Sequence, residues 1–325
     1  MIYFLTESGV KTGLGHLYRS VNLSNELKKK NKIKFILYKK NKRDNDNAIK
    51  ILKRNKIDFQ LLNNEKIVSF LRLKNKNIII FDVPKINLKY LDLAKKNFFK
   101  SIIVDDENNL KYYNTDIIIN QNSYANKLKY RFKNKNIIKL FGARYTILPK
   151  EKFSNINSRK LDNKIKNIFL IFGGTDVKNF YQKIGKKIKN FKLHINISNK
   201  IISHKVRKLR QYEHIKFYNS KNVNQIIKNK KIDLILSCCG SGLYQMFLHN
   251  IPLIGFMCAE NQKNAYKHYG KIGAIISSNL INLKKTIKKI NLKTKTRCIK
   301  EARKLVNIKG NSNISKIINR EINEY

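Results

Sequence analysis

The chain has 325 residues, with 70 Lys and Arg against 21 Asp and Glu, a formal net charge of +49, and 42% hydrophobic residues. That length suggests two domains, each able to bury a core, and the apolar content excludes wholesale disorder. Three prolines and thirteen glycines exclude collagen-like and Pro-rich architectures. Taken in chain order, short β-rich apolar runs alternate with amphipathic stretches, the pattern of parallel α/β sheets. Strands are predicted at 2–6, 33–38, 78–82, 101–104 and 117–120. A helix is predicted over 15–29, where Leu17/Val21 and Leu23/Leu27 fall on one buried side. Residues 150–164 are polar and read as an interdomain linker. Strands resume at 167–172, 191–197, 232–237, 253–256 and 274–276, and 295–324 reads as two helices. The expected organisation is an N-terminal Rossmann-like domain over 1–150, a linker over 151–164, and a C-terminal Rossmann-like domain over 165–325 that keeps the terminal helices. Two such α/β domains facing across a cleft would place the ligand in that cleft.

The longest apolar runs, such as 78–81 and 168–172, fall far short of the roughly 20 residues of a membrane span. The opening MIYFLTESGV lacks the basic and apolar pattern of a signal peptide, so a cytoplasmic, soluble protein is expected. Four cysteines without a C-x-x-C support neither a disulfide scaffold nor a zinc or dithiol motif, and no metal is expected. Lysine greatly outnumbers arginine and is spread along the chain with Asn and Ile, whereas base readout and bidentate phosphate recognition favour arginine. No specific nucleic-acid partner is therefore expected. The charge reads as compositional drift on solvated positions, and such a surface would also suit an anionic small substrate or acidic lipid headgroups.

Three glycine-bearing segments follow predicted strands. In the first, Gly13-Leu14-Gly15-His16-Leu17-Tyr18-Arg19 opens a helix. Glycines allow close backbone approach there, and a helix N-terminus favours anions. The dinucleotide fingerprint fails because Tyr18 stands at the third glycine position. A histidine at the carboxyl end of a strand can act as general acid or base; the blander alternative is a histidine that satisfies its own turn. In the second, Phe172-Gly173-Gly174-Thr175-Asp176 exposes backbone N–H groups suited to a phosphate, and Asp176 can cap the following helix. The third, Ser237-Cys238-Cys239-Gly240-Ser241-Gly242, is a small-residue anion cradle with Ser237 and Ser241 hydroxyls as donors. It is not a G-x-S-x-G elbow, and Cys238 and Cys239 read as packing residues. The other five histidines show no metal-ligand spacing.

At these residues the chain resembles the nucleotide-sugar hydrolases of pseudaminic acid biosynthesis, which cleave UDP-2,4-diacetamido-2,4,6-trideoxy-β-L-altropyranose and are related to spore-coat polysaccharide proteins and GT-B transferases. Residues Gly13–Arg19 look like that family's G-x-G-H-x-x-R, which implies that His16 is catalytic and that Gly13, Gly15 and Arg19 lie at the substrate. The resemblance extends through Asp82, the paired Asp105 and Asp106, and a D-x-x-x-N-x-N-x-Y-A stretch with Asn122 and Tyr124. It continues in the 142–148 segment, the nucleotide loop Gly173-Gly174-Thr175-Asp176, the Ser237, Gly240, Ser241 and Gly242 loop, and Asn261-Gln262. Two positions depart: Gln245 stands where the family has a ribose-binding glutamate, and Pro84 where it has a tyrosine. An amide oxygen accepts a hydrogen bond but carries no charge, so the ribose contact would be weaker.

The resemblance implies a GT-B α/β fold, a UDP-linked amino sugar as partner, no cofactor, a monomer, and inverting hydrolysis with His16 as base. Because UDP is already a good leaving group, this mechanism does not require a second carboxyl group. A GT-B glycosyltransferase of surface polysaccharide biosynthesis, deprotonating a sugar hydroxyl in place of water, is the alternative. A charge-driven nucleic-acid binder ranks behind both.

Overall fold

The computed structural model describes residues 1–9, 13–38, 45–149, 161–174, 176, 178–197, 199–219 and 223–323. The chain divides into two compact units, Met1–Lys150 with Asn307–Tyr325, and Glu151–Val306.

Unit 1 runs β1 (Ile2–Thr6), α1 (Gly15–Leu27), β2 (Ile33–Tyr38), α2 (Asp46–Arg54), β3 (Asp58–Leu62), α3 (Asn64–Arg72), β4 (Asn75–Asp82), α4 (Leu88–Asn97), β5 (Phe98–Val104), β6 (Ile117–Asn120) and β7 (Ile138–Phe141). Its strands form one parallel sheet in the order β3-β2-β1-β4-β5-β6-β7. Alternate residues of β1 serve opposite faces: Ile2 and Phe4 join a core with Leu17, Val21 and Leu23 of α1, while Leu5 packs with Leu71 of α3 and Leu91 of α4. With helices on both faces, the strand reads as a continuous apolar run. The chain winds outward from β1 through β2 to β3, then returns to the other side of β1 for β4. The crevice at the carboxyl ends of β1 and β4 is thus a topological switch point, where open α/β sheets bind ligands.

Unit 2 repeats the plan with β8 (Asn167–Ile171), α5 (Phe180–Lys187), β9 (Lys192–Asn196), α6 (Lys200–Val206), β10 (Ile215–Tyr218), α7 (Val223–Asn229), β11 (Leu234–Cys238), α8 (Leu243–Phe247), β12 (Leu253–Phe256), α9 (Lys263–Ile272), β13 (Ile276–Ser277), α10 (Leu283–Lys288) and α11 (Leu292–Arg303). The parallel order is β10-β9-β8-β11-β12-β13, so the switch point lies between β8 and β11. The abundant asparagine caps helices: Asn63 accepts from Lys66 N, Asn87 from Lys89 N, Asn199 from Ile202 N and Asn291 from Thr294 N.

The last helix, α12 (Gly310–Asn323), corrects the expected 165–325 domain because it belongs to unit 1. Its Ile314 and Ile318 join the core beneath α1, and Asn311 exchanges hydrogen bonds with both backbone groups of Leu148. A side chain at Gly310 would meet the Thr146 backbone at 2.1 Å, so only glycine allows this approach. The structure also adds three strands beyond the sequence expectation: β3, β7 and β10. Most of the 151–164 linker lies outside the described residues. Among the described residues no helix is long and apolar enough to cross a membrane.

Candidate functional site

The switch point of unit 1 gathers charged side chains from beyond the ends of β1, β4 and β5, and asparagines from the end of β6. Thr6 at the end of β1 pairs in register with Asp82 at the end of β4, and the Thr6 hydroxyl donates to the Asp82 carbonyl at 3.1 Å. The chain leaves β1, forms a bridge between Gly9 and Gly13, the latter at φ +78°, and enters α1 at Gly15. His16 and Arg19 are three residues apart and Ser20 is one further, so all three share the helix face above Asp82. His16 Nδ1 lies 2.7 Å from Asp82 Oδ1. Arg19 grips the same carboxylate with two prongs, Nη2 to Oδ1 at 2.7 Å and Nε to Oδ2 at 3.0 Å, and the Ser20 hydroxyl donates to Oδ2 at 3.2 Å.

Asp82 is 1% exposed and Arg19 3%. Burial alone would raise the carboxyl pKa, but the Arg19 charge, then His16, and their hydrogen bonds hold Asp82 well below the usual carboxylate range. For Arg19, burial works against the charged form and is overcome by Asp106 and Asp82. An ionised Asp82 offers only acceptors, so a proton on Nδ1 would point at Oδ1; Arg19 Nη2 also lies 3.2 Å from Nδ1. Nε2 has no partner among the described residues, on a ring that is 16% exposed.

The remaining acids differ in placement. Asp106 accepts Arg19 Nη1 at 2.6 Å and faces Asn122 Nδ2 at 3.4 Å. Asp105 turns inward and accepts from the hydroxyls of Tyr130 at 2.6 Å and Tyr113 at 3.1 Å. Burial raises its pKa against those hydrogen bonds. Asn122 and Tyr130 meet at Asn120, whose Oδ1 accepts from Asn122 Nδ2 and whose Nδ2 donates to Tyr130. A continuous polar chain thereby runs from Asp105 to His16. Tyr124 is buried ahead of a short turn, and Pro84 stands two residues past Asp82.

In unit 2 the switch point is lined by backbone. Gly173, at φ +74° and with open space where a Cβ would stand, follows β8. Gly174 is held from behind by Asn199 Nδ2, which donates to its carbonyl at 2.8 Å. Thr175 lies outside the described residues. Asp176 is a helix cap, accepting Phe180 N at 2.8 Å and Tyr181 N at 3.2 Å, and its carbonyl accepts Lys205 Nζ. After β11, Gly240 leaves room for Gln262 Nε2, which lies 3.3 Å from where a Cβ would stand; Gln262 Oε1 accepts Cys258 N at 3.0 Å. Asn261 is exposed beside it, Ser241 is partly exposed, and Gly242 starts α8 facing open space. Gln245 Nε2 lies 3.4 Å from Asn224 Oδ1. Ser237 departs from its expected donor role: it is 2% exposed, and its hydroxyl donates to the Cys238 carbonyl at 3.0 Å. The final residues of a central parallel strand are covered by helices on both faces, which turns that hydroxyl back onto its own backbone.

No family model matches the chain. It is 24% identical over 290 residues to an uncharacterised protein of Methanocaldococcus jannaschii, covering 83% of this chain and 58% of that protein, so the chain spans little more than half of the relative. Among solved structures it is similar to S. aureus MnaA in complex with UDP, with TM-score 0.61 and 11% identity over 99% of this chain and 96% of that one. It is also similar to the Methanocaldococcus jannaschii UDP-GlcNAc 2-epimerase in complex with UDP-GlcNAc and UDP, with TM-score 0.56 and 12% identity over 98% and 100%. The Streptomyces sp. SF2575 glycosyltransferase SsfS6, complexed with thymidine diphosphate, matches with TM-score 0.52 and 11% identity over 98% and 100%. The fold is of GT-B type. At these identities the likeness concerns the fold.

Asn120 is the first asparagine of the D-x-x-x-N-x-N-x-Y-A stretch, whereas sequence reading missed Asn199, Tyr113 and Tyr130, which hold the loops carrying the expected residues. Nothing local marks them, because their partners lie up to 25 residues away in the chain.

Proposed function

We propose that this chain is an enzyme processing a UDP-linked sugar, and that its reaction is hydrolysis of a UDP-linked diacetamido-trideoxy sugar at the anomeric C–O bond. The observation that carries the reading is the held imidazole: Asp82, itself clamped by Arg19, faces Nδ1 at 2.7 Å, and in this reading it accepts a hydrogen bond from Nδ1–H and leaves Nε2 as the base. Solved structures of the same fold hold UDP, UDP-GlcNAc or thymidine diphosphate, which supports a nucleotide-sugar ligand. In this reading the diphosphate binds the backbone N–H groups of Gly173–Gly174 and Gly240–Gly242, where glycine leaves the backbone accessible. Gln245 and Asn224 would meet the ribose. Gly13, Gly15, Asp106, Asn122, Asn261 and Gln262 would contact the sugar, while buried Arg19 and Asp82 position His16.

Water attacks the anomeric carbon opposite the nucleotide, His16 Nε2 takes the water proton, and UDP leaves with the bonding pair, giving the free sugar with inverted configuration. His16→Ala is expected to lower turnover about 10²–10⁴-fold with little change in UDP affinity. Anomeric proton NMR of UDP-linked amino sugars checks this, and undiminished turnover in the variant would remove the reading. The glycosyltransferase reading is favoured by the similarity to SsfS6; sugar release only when an acceptor alcohol is supplied would select it.

A further inference from the structure

The helix ends and loops that feed β2, β3 and β4 lie at the amino end of the unit 1 sheet, opposite the crevice that holds His16. Their segments 28–32, 53–56 and 72–76 carry four, three and three Lys or Arg and no acid, and all ten of these cations are exposed. A basic residue in the last turn of a helix satisfies the helix dipole, so such loops by themselves mark no site. What sets this end apart is a groove of about 510 Å³ between the end of α1 and α12, where a second helix adds cations. Lys29 and Lys30 line it from one side, and Ser315, Lys316, Asn319 and Arg320 from the other. Its floor is fixed: Asn31 Nδ2 donates to Asn319 Oδ1 at 2.9 Å, and Asn319 Nδ2 donates to the Ser315 hydroxyl at 3.1 Å. The acid in the lining, Glu26, is spent on Lys29, whose Nζ reaches both carboxylate oxygens. Glu321 is shared between Lys100 at 3.0 Å and Arg320 at 3.7 Å. Lys30 and Lys316 make no hydrogen bond or ion pair among the described residues, so their charge is uncompensated there.

We propose that this end of unit 1 is a docking surface for a bilayer rich in anionic phospholipid, with lipid phosphates entering the groove between α1 and α12. The proposal does not depend on which reaction the chain performs. Eight of the ten loop cations are lysines. A lysine is a strongly hydrated point charge that suits a mobile field of headgroups, whereas the fixed phosphates of a nucleic acid favour the arginine fork. Leu73, 63% exposed between Arg72 and Lys74, adds an apolar group at the same end for the headgroup layer to take up. Docking by this end leaves the crevice of β1 and β4, at the opposite end of the same sheet, directed away from lipid.

The test is co-sedimentation of the full chain with vesicles of phosphatidylcholine, alone or with about 30% phosphatidylglycerol, at about 0.1 M salt. The wild-type chain is expected on the phosphatidylglycerol vesicles and not on phosphatidylcholine, and salt raised to about 0.5 M should release it. At about fivefold per cation, Lys30→Gln with Lys316→Gln and Arg320→Gln should weaken vesicle binding about 100-fold. Lys284→Gln with Lys285→Gln and Lys288→Gln removes as many exposed cations from α10 of unit 2 and should weaken it less than about threefold. All six side chains are exposed, so both variants should melt with the wild type. Equal losses in the two variants would reduce the effect to net charge and overturn the assignment, as would a wild-type chain that ignores phosphatidylglycerol. Release by millimolar pyrophosphate would mark a site for free phosphate instead. Tighter binding to an RNA duplex, lost in the first variant, would replace the bilayer with a nucleic acid.

Discussion

The carboxyl ends of the two sheets share one winding order yet are furnished in opposite ways. The end of β1 and β4 is built of side chains: one aspartate accepts from a serine and both prongs of an arginine and faces a histidine ring nitrogen. At the end of β8 and β11 the surface is backbone, opened by Gly173, Gly240 and Gly242, and polar side chains such as Asn199 and Asp176 face the loop from behind. A buried charge network fixes a single protonation pattern and tolerates little change. A backbone cradle holds an anion whatever the neighbouring side chains are, provided they keep the loop in place. Repetition of a fold therefore does not repeat a function, because each switch point is completed by its own loops.

The sharpest way to break this contrast is Asp82→Asn. With a neutral amide in place of the acceptor, the Nδ1 tautomer is no longer enforced, and turnover is expected to fall about 10³–10⁴-fold. Loss of Arg19's buried partner should also cost about 3–5 kcal/mol of stability, read by denaturant unfolding. UDP affinity should hardly move, since the loops proposed to hold the diphosphate lie in unit 2.

Acid should separate the units next. Burial pushes His194 down to about 4, helped by Lys230 and Lys192, and burial pushes His249 to about 4 as well. Both belong to unit 2. The unfolded chain binds these protons near pH 6.5, before the folded chain does, so this stabilisation is complete above about 6.5 and is lost as pH falls towards about 4. The loss is of order 1–3 kcal/mol per histidine. Thermal melts at pH 7 and 4.5 should show unit 2 weakening, and His194→Gln with His249→Gln should flatten the dependence. Asp82, depressed far below that window, does not add to it.

The smallest expected effect is Asn199→Ala. Freed of its tie, the Gly174 carbonyl can swing, and UDP affinity should drop about tenfold, equal to about 1.4 kcal/mol by calorimetry, with the His16 network untouched.

Legibility followed the same physics. Strands β1 and β6 are readable because both faces are covered and apolar residues run unbroken up to a polar last residue. The edge strands β3 and β10 are not: β3, Asp-Phe-Gln-Leu-Leu, has no buried position, and β10 is buried at Ile215 alone. His16 stood out because glycines framed it. Asp82 looked like a substrate ligand, and its clamped, buried state depends on Arg19, 63 residues away, so spacing could not reveal it.

The return of α12 to the first unit has a consequence for how the protein is made. Unit 2 is one continuous stretch and can close as soon as its own residues have emerged from the ribosome. Unit 1, whose strands are synthesised first, still lacks Ile314 and Ile318 at that moment. The lobe whose strands precede unit 2 is therefore completed after it, with the floor beneath α1 bare until α12 arrives.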